Sequence, residues 1–435
     1  MKLNYKRTLF VGLAFMSICA FWQLYDNVVP LILKNTFNLG DTNIGMIMAL
    51  DNIVALFLLP MFGVLSDKTN TKLGKRMPFI IVGTCLSSLM MIIMPIANNE
   101  GNLIMFIVSL GIVLLAMGTY RTSAVSLMPD VTPRPLHSQA NAIINLMGAA
   151  GSIITLVLTK LLVKEAIEGK NTDYVPIYIA IIVVMVVSVI ILLIKVRENQ
   201  CAKEKRELEE KYGVAKEVDQ VGSKNLTNEK VKMDKSMKKS LIMLLVSIFL
   251  WFTAYNAVTS AFSRYVDEVW KLGHTGFTDF LMIAMGAAII SYVPIGIISS
   301  HIGRKKTILI GIASITISYL LGCFFIEFSR LIYGVFILTG FGWAAISVNS
   351  YPMIVEMSKG GDTGKYTGYY YSVSMTAQIL TPILSGFLLE HVSYYTLFPY
   401  AVFFSVLSFI TMLFVKHGDV KTAKKSIIES FDVED

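Results

Sequence analysis

Long apolar stretches separated by short polar loops run along this chain from near its first residue to about residue 416. Each stretch has about 20 residues or more, the length that an α-helix needs to cross ~30 Å of hydrocarbon. The pattern predicts an all-α integral membrane protein with twelve transmembrane helices. The predicted spans, numbered 1 to 12, are residues 9–33, 44–65, 77–97, 103–128, 140–163, 175–196, 239–263, 278–300, 307–328, 331–354, 366–390 and 396–416.

The composition fits a chain whose solvent is largely lipid. Hydrophobic residues make up 54% of the 435 residues and charged residues 16%, whereas soluble domains carry about 25% charged residues. The mean hydropathy is +0.63. The net charge of +8 indicates contact with anionic lipid at the membrane surface, and we expect no nucleic-acid partner.

Lysine and arginine lie mainly on one side of the predicted spans. They cluster in the N-terminal segment, in the loops after spans 2 and 8, and in the C-terminal segment, whereas the loop between spans 1 and 2 carries only Lys34. Cytoplasmic loops carry the excess of these residues. We therefore expect a multi-pass protein of the cell membrane with both termini in the cytoplasm. Span 1 is too long for a signal peptide and lacks a small-residue cleavage site.

A short sequence cassette occurs twice, each time between two apolar spans. Residues 63–68 (GVLSDK), followed after a short insert by residues 74–76 (GKR), return as residues 296–306 (GIISSHIGRKK). This repeat predicts two related halves, and paired halves of this kind enclose a site at their interface near the bilayer midplane. The expected organisation is an N-terminal six-helix half over residues 1–196, a cytoplasmic linker over 197–238, a C-terminal six-helix half over 239–416, and a cytoplasmic tail over 417–435.

Three ionisable residues fall inside the predicted spans, namely Asp26, Asp51 and Arg121. A charge in hydrocarbon costs several kcal/mol, from about 3 to above 10, unless it faces a cavity or a partner. A buried carboxylate is suited to load and release a proton, so Asp26, and with it Asp51, is predicted to couple transport to protons. Arg121 keeps its charge and offers donors to hydroxyl groups. For Asp51 a structural role, bonded to Asn52 or a neighbouring helix, is the alternative.

Further polar and aromatic side chains are candidates for the wall of a cavity. Asn256 belongs to a polar face of span 7, Gln378 lies in span 11, Trp22 is one turn from Asp26, and Trp343 is in span 10. Aromatic rings beside hydrogen-bonding groups suit a sugar, whose hydroxyls bond while its apolar face stacks. The alternative is that the amides link helices and the tryptophans pack. With Arg121 and Asp26, these residues form the predicted substrate site.

The repeated cassette is predicted to gate the cytoplasmic side. Asp67 can form an ion pair with Arg76 that holds the outward-facing state and breaks when the cytoplasmic side opens. Glycines at equivalent places would let two helices approach closely. The predicted gate residues are Gly63, Asp67, Arg76, Asp130, Arg134, Gly296 and Arg304.

With these residues in place, the chain resembles the major facilitator superfamily. The cassette looks like that family's signature loop, lengthened by five residues. The longer form resembles the sucrose/proton symporters and the related glycoside–pentoside–hexuronide:cation symporters. The resemblance implies a sugar substrate and assigns sugar transport to the position of Arg121. The segments that carry it are residues 75–79 (KRMPF), 120–124 (YRTSA), 128–130 (MPD), 140–141 (AN), 377–378 (AQ) and 385–386 (SG).

Two departures from the resembled families bear on the coupling ion. Melibiose-type symporters carry two acids in span 2 near the positions of Ala55 and Leu59, and an acid at the position of Arg121. Their absence disfavours a sodium site of that type. Plant-type sucrose symporters carry an acid where this chain has Leu110. The proton carrier is therefore expected elsewhere, with Asp26 as first choice.

The sequence thus predicts a transporter that imports a glycoside, such as sucrose or maltose, with a proton by alternating access. Sodium-coupled sugar symport, export of amphipathic drugs or lipids, and a sensor that binds without transport are the alternatives. No nucleophile–base pair, phosphate loop or metal cluster is recognisable, so we expect neither an enzyme nor a cofactor or metal. The expected partners are a small sugar, the coupling proton (or sodium) and the lipid bilayer.

Overall fold

In the computed structural model, residues 2–164, 171–212, 235–357, 363–419 and 428–431 are described. Twelve of the described helices are long and apolar enough to cross a membrane, so the predicted all-α membrane fold is confirmed. The first seven helices are α1 (Tyr5–Asn35), α2 (Asp41–Lys68), α3 (Met77–Glu100), α4 (Leu103–Val131), α5 (His137–Leu162), α6 (Val175–Lys195) and the short polar α7 (Glu198–Lys211). The others are α8 (Lys235–Glu268), α9 (Phe277–Ile302), α10 (Arg304–Gly322), α11 (Ile332–Glu356), α12 (Thr363–His391) and α13 (Leu397–Leu413).

Polar residues in the short loops set several helix ends. The Asn4 side chain accepts a hydrogen bond from the backbone N–H of Arg7 at the start of α1, and Asn102 does the same for Met105 at the start of α4. Such caps satisfy N–H groups that have no partner within the helix. Gly101 ends α3 with a φ of 68°, a conformation that glycine adopts without steric cost.

The helices surround two apolar cores. Buried side chains of α1 to α6 form the first core, and buried side chains of α8 to α13 form most of the second. Leu31 of α1 and Leu156 of α5 pack into the second core, although both belong to the first set of helices. The two sets of helices are therefore joined by apolar contact as well as by the polar contacts described below.

Three helix pairs make the main contacts between the two sets: α1 with α8, α2 with α12, and α5 with α9. Gly45 of α2 packs so closely on α12 that a Cβ would collide with the carbonyl oxygen of Pro382, and a Cβ on Gly386 would collide with the carbonyl of Asp41. Lys160 at the end of α5 pairs with Asp279 at the start of α9, at 2.6 Å. These contacts lie on the face opposite to the two cassettes. We call the side of the cassette loops the cassette face and the other side the opposite face.

The predicted linker and the predicted tail are each described only in part. The part of the predicted linker that is described forms α7, which lies against the cassette face, while residues 213–234 lie outside the described residues. Of the predicted tail, residues 417–419 and a short 3₁₀ helix, Ile428–Phe431, are described, and the rest lies outside.

Candidate functional site

A buried ion cluster, which was not predicted from the sequence, closes the opposite face. The carboxylate of Asp41, at the start of α2, lies 3.0 Å from the guanidinium of Arg264 on α8, and both side chains are 1% exposed. Its second oxygen accepts from Lys34 Nζ at 2.9 Å and from the Tyr394 hydroxyl at 2.7 Å. Because Arg264 and Tyr394 belong to the second set of helices, this one carboxylate holds both sets together.

A second group of polar contacts lies beside this cluster. The Asn35 amide at the end of α1 donates to Asp267 of α8 at 2.9 Å and lies 2.9 Å from Nδ1 of His274. The Glu390 carboxylate of α12 accepts from the backbone N–H of Thr42 at 2.8 Å. Together with the Asp41 cluster, these bonds fasten α1 and α2 to α8 and α12 on this face.

These anchors set the depth of the two predicted acids. Asp26 is nine residues from Asn35 along α1, and Asp51 is ten residues from Asp41 along α2. At 1.5 Å per residue they lie ~13 Å and ~15 Å below the closed face. The two acids are therefore at similar depth, in the interior of long apolar helices.

The second set of helices places its predicted substrate residues at a similar depth. Asn256 is eleven residues from Asp267 along α8, and Gln378 is twelve residues from Glu390 along α12. Their depths are ~16 Å and ~18 Å. The predicted substrate residues of the second set thus lie at nearly the same level as the acids of the first set.

Asp26 is an exposed acid within an apolar helix, near two other charged residues. Its side chain is exposed, although the residues on either side of it in the chain are buried. Asp51 and Arg121 are near enough for their charges to act on Asp26. The Arg121 guanidinium lies 5.9 Å from the centre of the Trp22 ring, within the range of a cation–π contact. Asn52 donates to Asp51 at 2.8 Å, which is the bond that the structural alternative for Asp51 requires.

The polar face of α8 supplies hydrogen-bonding groups that are not used elsewhere. Thr253 bonds to a backbone carbonyl of its own helix. In contrast, Nδ2 of Asn256 and the hydroxyls of Ser260 and Ser263 are buried with no hydrogen-bond partner among the described residues. Buried polar atoms usually have a partner, so these three atoms need an explanation that the described hydrogen bonds do not give. Nε1 of Trp22 on α1 is also buried with no hydrogen-bond partner among the described residues.

An aromatic wall accompanies these polar groups. Trp343 of α11 stacks on Tyr255 of α8 with a centroid distance of 3.8 Å and an interplanar angle of 9°, and Phe252 meets Trp343 edge-on at 5.7 Å. Gln378 is half-buried on α12. Among the predicted substrate residues, Trp22, Asp26 and Arg121 thus belong to the first set of helices, and Asn256, Trp343 and Gln378 to the second.

The cassette residues form an ion cluster within the first set of helices. Arg76 donates to Asp67 at 2.5 Å, to Asp130 at 2.7 Å and to the Ser66 hydroxyl. Burial lowers the pKa of the Arg76 guanidinium, but Asp130 and Asp67 outweigh this effect, and the net pKa is raised. Arg76 is therefore a permanent cation that joins the ends of α2 and α4 to the start of α3. The Asp67–Arg76 pair is formed while the opposite face is closed; its role as a latch between states stays a prediction.

The repeated half contains a simpler form of this cluster. Arg304 donates to Glu356 at 2.7 Å and to the carbonyl of Pro352 at 3.1 Å. The guanidinium of Arg304 thus ties the start of α10 to the end of α11, as Arg76 ties α3 to α4. Pairing of each arginine with an acid at the end of the next helix is the structural counterpart of the sequence repeat.

Two further acids at the cassette face were not predicted. The Glu198 carboxylate, buried at the start of α7, accepts from the backbone N–H groups of Lys75, Arg76 and Met77 at 2.7–3.1 Å. Asp419, which follows the last membrane helix, accepts from the N–H of Lys305 at 3.1 Å. Each acid meets the positive end of the third helix of its half. The only sequence signal is an acid shortly after spans 6 and 12.

Three predicted gate residues take no part in these clusters. Arg134 is exposed at the start of a 3₁₀ helix over residues 134–136, and its backbone N–H donates to Glu209 at 2.9 Å. A Cβ on Gly63 would meet the Thr122 methyl at 3.8 Å, an ordinary contact distance, so the expected close approach of helices is not seen there. Gly296 lies within α9 and is half-buried.

The sequence matches one protein family over most of its length and two known transport or resistance proteins over parts of it. The family model described as Major Facilitator Superfamily matches residues 11–292 and 270–430. The chloramphenicol resistance protein CraA of Acinetobacter baumannii is 30% identical over 160 residues, which are 36% of this chain and 36% of CraA. The sucrose transport protein SUC3 of Arabidopsis thaliana is 29% identical over 121 residues, 23% of this chain and 20% of SUC3. The chain thus spans well under half the length of both relatives.

Solved structures of transporters match the whole fold. The nucleoside transporter NupG superposes with a TM-score of 0.67 over 95% of this chain and 100% of NupG, at 14% identity. The transporter FucP, in an outward conformation, gives a TM-score of 0.57 over 95% and 99% of the two chains, at 15% identity. At such identities the likeness shows the fold alone. The family match over most of the chain shows more: this protein is a transporter, not an enzyme, and it belongs to the Major Facilitator Superfamily.

Proposed function

We propose that this protein is a secondary active transporter that imports a glycoside, such as a sucrose- or maltose-like disaccharide, together with a proton. The observation that carries the proposal is the setting of Asp26. This acid lies in the middle of an apolar helix, its side chain is exposed, and the charges of Asp51 and Arg121 act on it. An ionisable group inside a membrane helix is costly and marks a functional site.

The proton step follows from the charges around Asp26. A carboxylate within a membrane helix is costly in its charged form unless a cation lies near, and Arg121 provides that cation. Protonation of Asp26 neutralises the acid and releases Arg121 to interact with substrate. Loss of the proton restores the attraction between Asp26 and Arg121 and weakens substrate binding. Asp51 acts on the same charges and is the second candidate for proton exchange.

The side chains that the two sets of helices contribute to the predicted substrate site support a sugar as the substrate. The Arg121 guanidinium, the Asn256 amide and the Gln378 amide can bond to several hydroxyl groups. Trp22 and the stacked pair of Tyr255 and Trp343 offer flat surfaces for the apolar face of a pyranose or furanose ring. The partial match to SUC3 agrees with a disaccharide, although it covers only 23% of the chain.

The membrane orientation completes the proposal. With the lysine-rich cassette loops in the cytoplasm, both termini are cytoplasmic, the protein lies in the cell membrane, and the closed opposite face is extracellular. The Asp41 cluster then holds the site shut toward the outside. Opening of that cluster, with closure at the cassette face, would complete alternating access about a site near the midplane.

A second candidate function is export of amphipathic drugs. The observation that favours it is the 30% identity with CraA over 160 residues. In that case the aromatic wall would bind the apolar part of the drug, and Asp26 would serve proton-driven antiport. An exporter would protect cells against such compounds and would not respond to sugars.

The first experiment records the external pH of a lightly buffered, de-energised cell suspension while a panel of mono- and disaccharides is added. Transient alkalinisation with one glycoside, absent in cells with Asp26→Asn, is the expected result. Sugar uptake without alkalinisation, but dependent on sodium, would support sodium-coupled symport instead. No sugar uptake, together with drug resistance in expressing cells, would refute import and favour export.

A further inference from the structure

A short piece of the C-terminal region lies between the two halves of the protein at the cassette face. Residues Ile428–Phe431 form a 3₁₀ helix that packs against both α5 and α9. The Asn145 amide of α5 donates to the carbonyl of Phe431 at 3.2 Å. The ring of Phe431 meets the ring of Tyr292 of α9 edge-on, with centroids 5.9 Å apart. The segment therefore contacts one helix from each half.

The ends of α5 and α9 at the opposite face are joined by Lys160 and Asp279. Asn145 is fifteen residues from Lys160, and Tyr292 is thirteen residues from Asp279. The segment thus lies ~20 Å or more from the closed end of this helix pair. Between these two points the helices separate enough to admit a turn of polypeptide.

This position matters because alternating access rocks one half against the other about a fixed site. When the opposite face opens, the ends of α5 and α9 at the cassette face must approach each other. The side chain of Phe431 and the backbone of its turn occupy the space that this movement has to close. The segment and the alternate conformation therefore exclude each other.

We propose that residues 428–431 act as a wedge that stabilises the conformation closed at the opposite face, so that the C-terminal region restrains the transport cycle. Withdrawal of the wedge permits the cassette face to close. The restraint is a property of the two-state equilibrium and does not depend on which substrate the protein carries.

The side chains of the wedge differ in what they contribute. Phe431 is half-buried and supplies the aromatic contact with Tyr292, and its carbonyl binds Asn145. An aromatic pair of this kind corresponds to a change of about fivefold in a conformational equilibrium. Glu429 accepts from the Gln139 amide at 3.2 Å. A glutamine at position 429 can accept the same bond through its amide oxygen.

The test measures the two conformations directly, in the full-length protein reconstituted in lipid, with the native cysteines replaced. Paired spin labels on the cassette-face ends of α5 and α9 report the distance between the halves by pulsed electron paramagnetic resonance. Phe431→Ala is expected to lower the ratio of open to closed cassette face by about fivefold. Glu429→Gln is the matched control and should change the ratio by less than about twofold.

A double-mutant cycle and a peptide distinguish the wedge from a general effect on folding. Tyr292→Ala should reproduce the effect of Phe431→Ala, and the double variant should show little further change. A chain ending at residue 427 should have the lowered ratio, and a synthetic peptide of residues 428–435 should raise it again. An unchanged distance distribution in Phe431→Ala and in the shortened chain would overturn the proposal. So would fully additive effects of the Phe431 and Tyr292 substitutions.

Discussion

Removal of the charge of Asp41 should open the face that this residue holds closed. Asp41→Asn keeps the shape of the side chain but leaves Arg264, whose side chain is 1% exposed, as a buried cation without its counter-charge. Loss of one partner from a buried ion pair costs about 3–5 kcal/mol. The cost applies only while the face is closed, because water reaches Arg264 once the face opens.

The size of the shift follows from that cost. Since each ~1.4 kcal/mol is a factor of ten, the ratio of closed to open opposite face should fall by at least about a hundredfold. Lys160→Gln breaks another ion pair between the halves, the pair of Lys160 and Asp279. These two side chains are 50% and 35% exposed. An exposed pair contributes about 0–1 kcal/mol, so this matched control should shift the ratio by less than about fivefold.

Distances between spin labels on the opposite-face ends of α1 and α8 measure this ratio. Asp41→Asn combined with Arg264→Met removes the orphaned charge, so the double variant should be less open than Asp41→Asn alone. Equal shifts in Asp41→Asn and Lys160→Gln would refute the reasoning. A double variant whose opposite face is more open than that of Asp41→Asn alone would also contradict the reasoning.

Three other substitutions test the remaining parts of the structure. Gly45→Ala places a methyl group against the backbone of α12 and should hinder closure of the opposite face, measured with the same labels; Gly111→Ala, with no atom within 4 Å, is its control. Asn256→Ala should raise the KM for the glycoside about tenfold, the value of one hydrogen bond to a buried polar group, in an uptake assay. Thr253→Val should leave this KM unchanged, because its hydroxyl serves its own helix. Arg76→Gln should lower the thermal midpoint by several degrees in a thermal-shift measurement, and an unchanged midpoint would show that the cluster is not stabilising.

The fold was predictable because apolar length and the repeated cassette report directly on membrane helices and their pairing. The interior acids were predictable for the same reason, since Asp26 and Asp51 stand out in apolar surroundings. The ion pair of Asp41 and Arg264 was missed because both residues lie at the ends of apolar stretches, where charges ordinarily meet water. Their burial comes from contact between the halves, which no local pattern reveals.

The cassette shows a different limit of the sequence. Its charges predict that Asp67 and Arg76 interact, and they do so at 2.5 Å. The charge pattern of the linker, however, resembles that of a solvated helix and gives no sign that Glu198 is buried against the start of α3. That contact depends on where α6 ends and how α7 turns back, which is decided by tertiary packing.

The central claim is that Asp26 couples a proton to glycoside import, and uptake into proteoliposomes tests it most directly. With an inward proton gradient imposed, wild-type protein should accumulate the glycoside above its external concentration. Asp26→Asn should lose this accumulation but still exchange labelled for unlabelled glycoside, because exchange needs no net movement of protons. Gradient-driven accumulation that persists in Asp26→Asn would contradict the account.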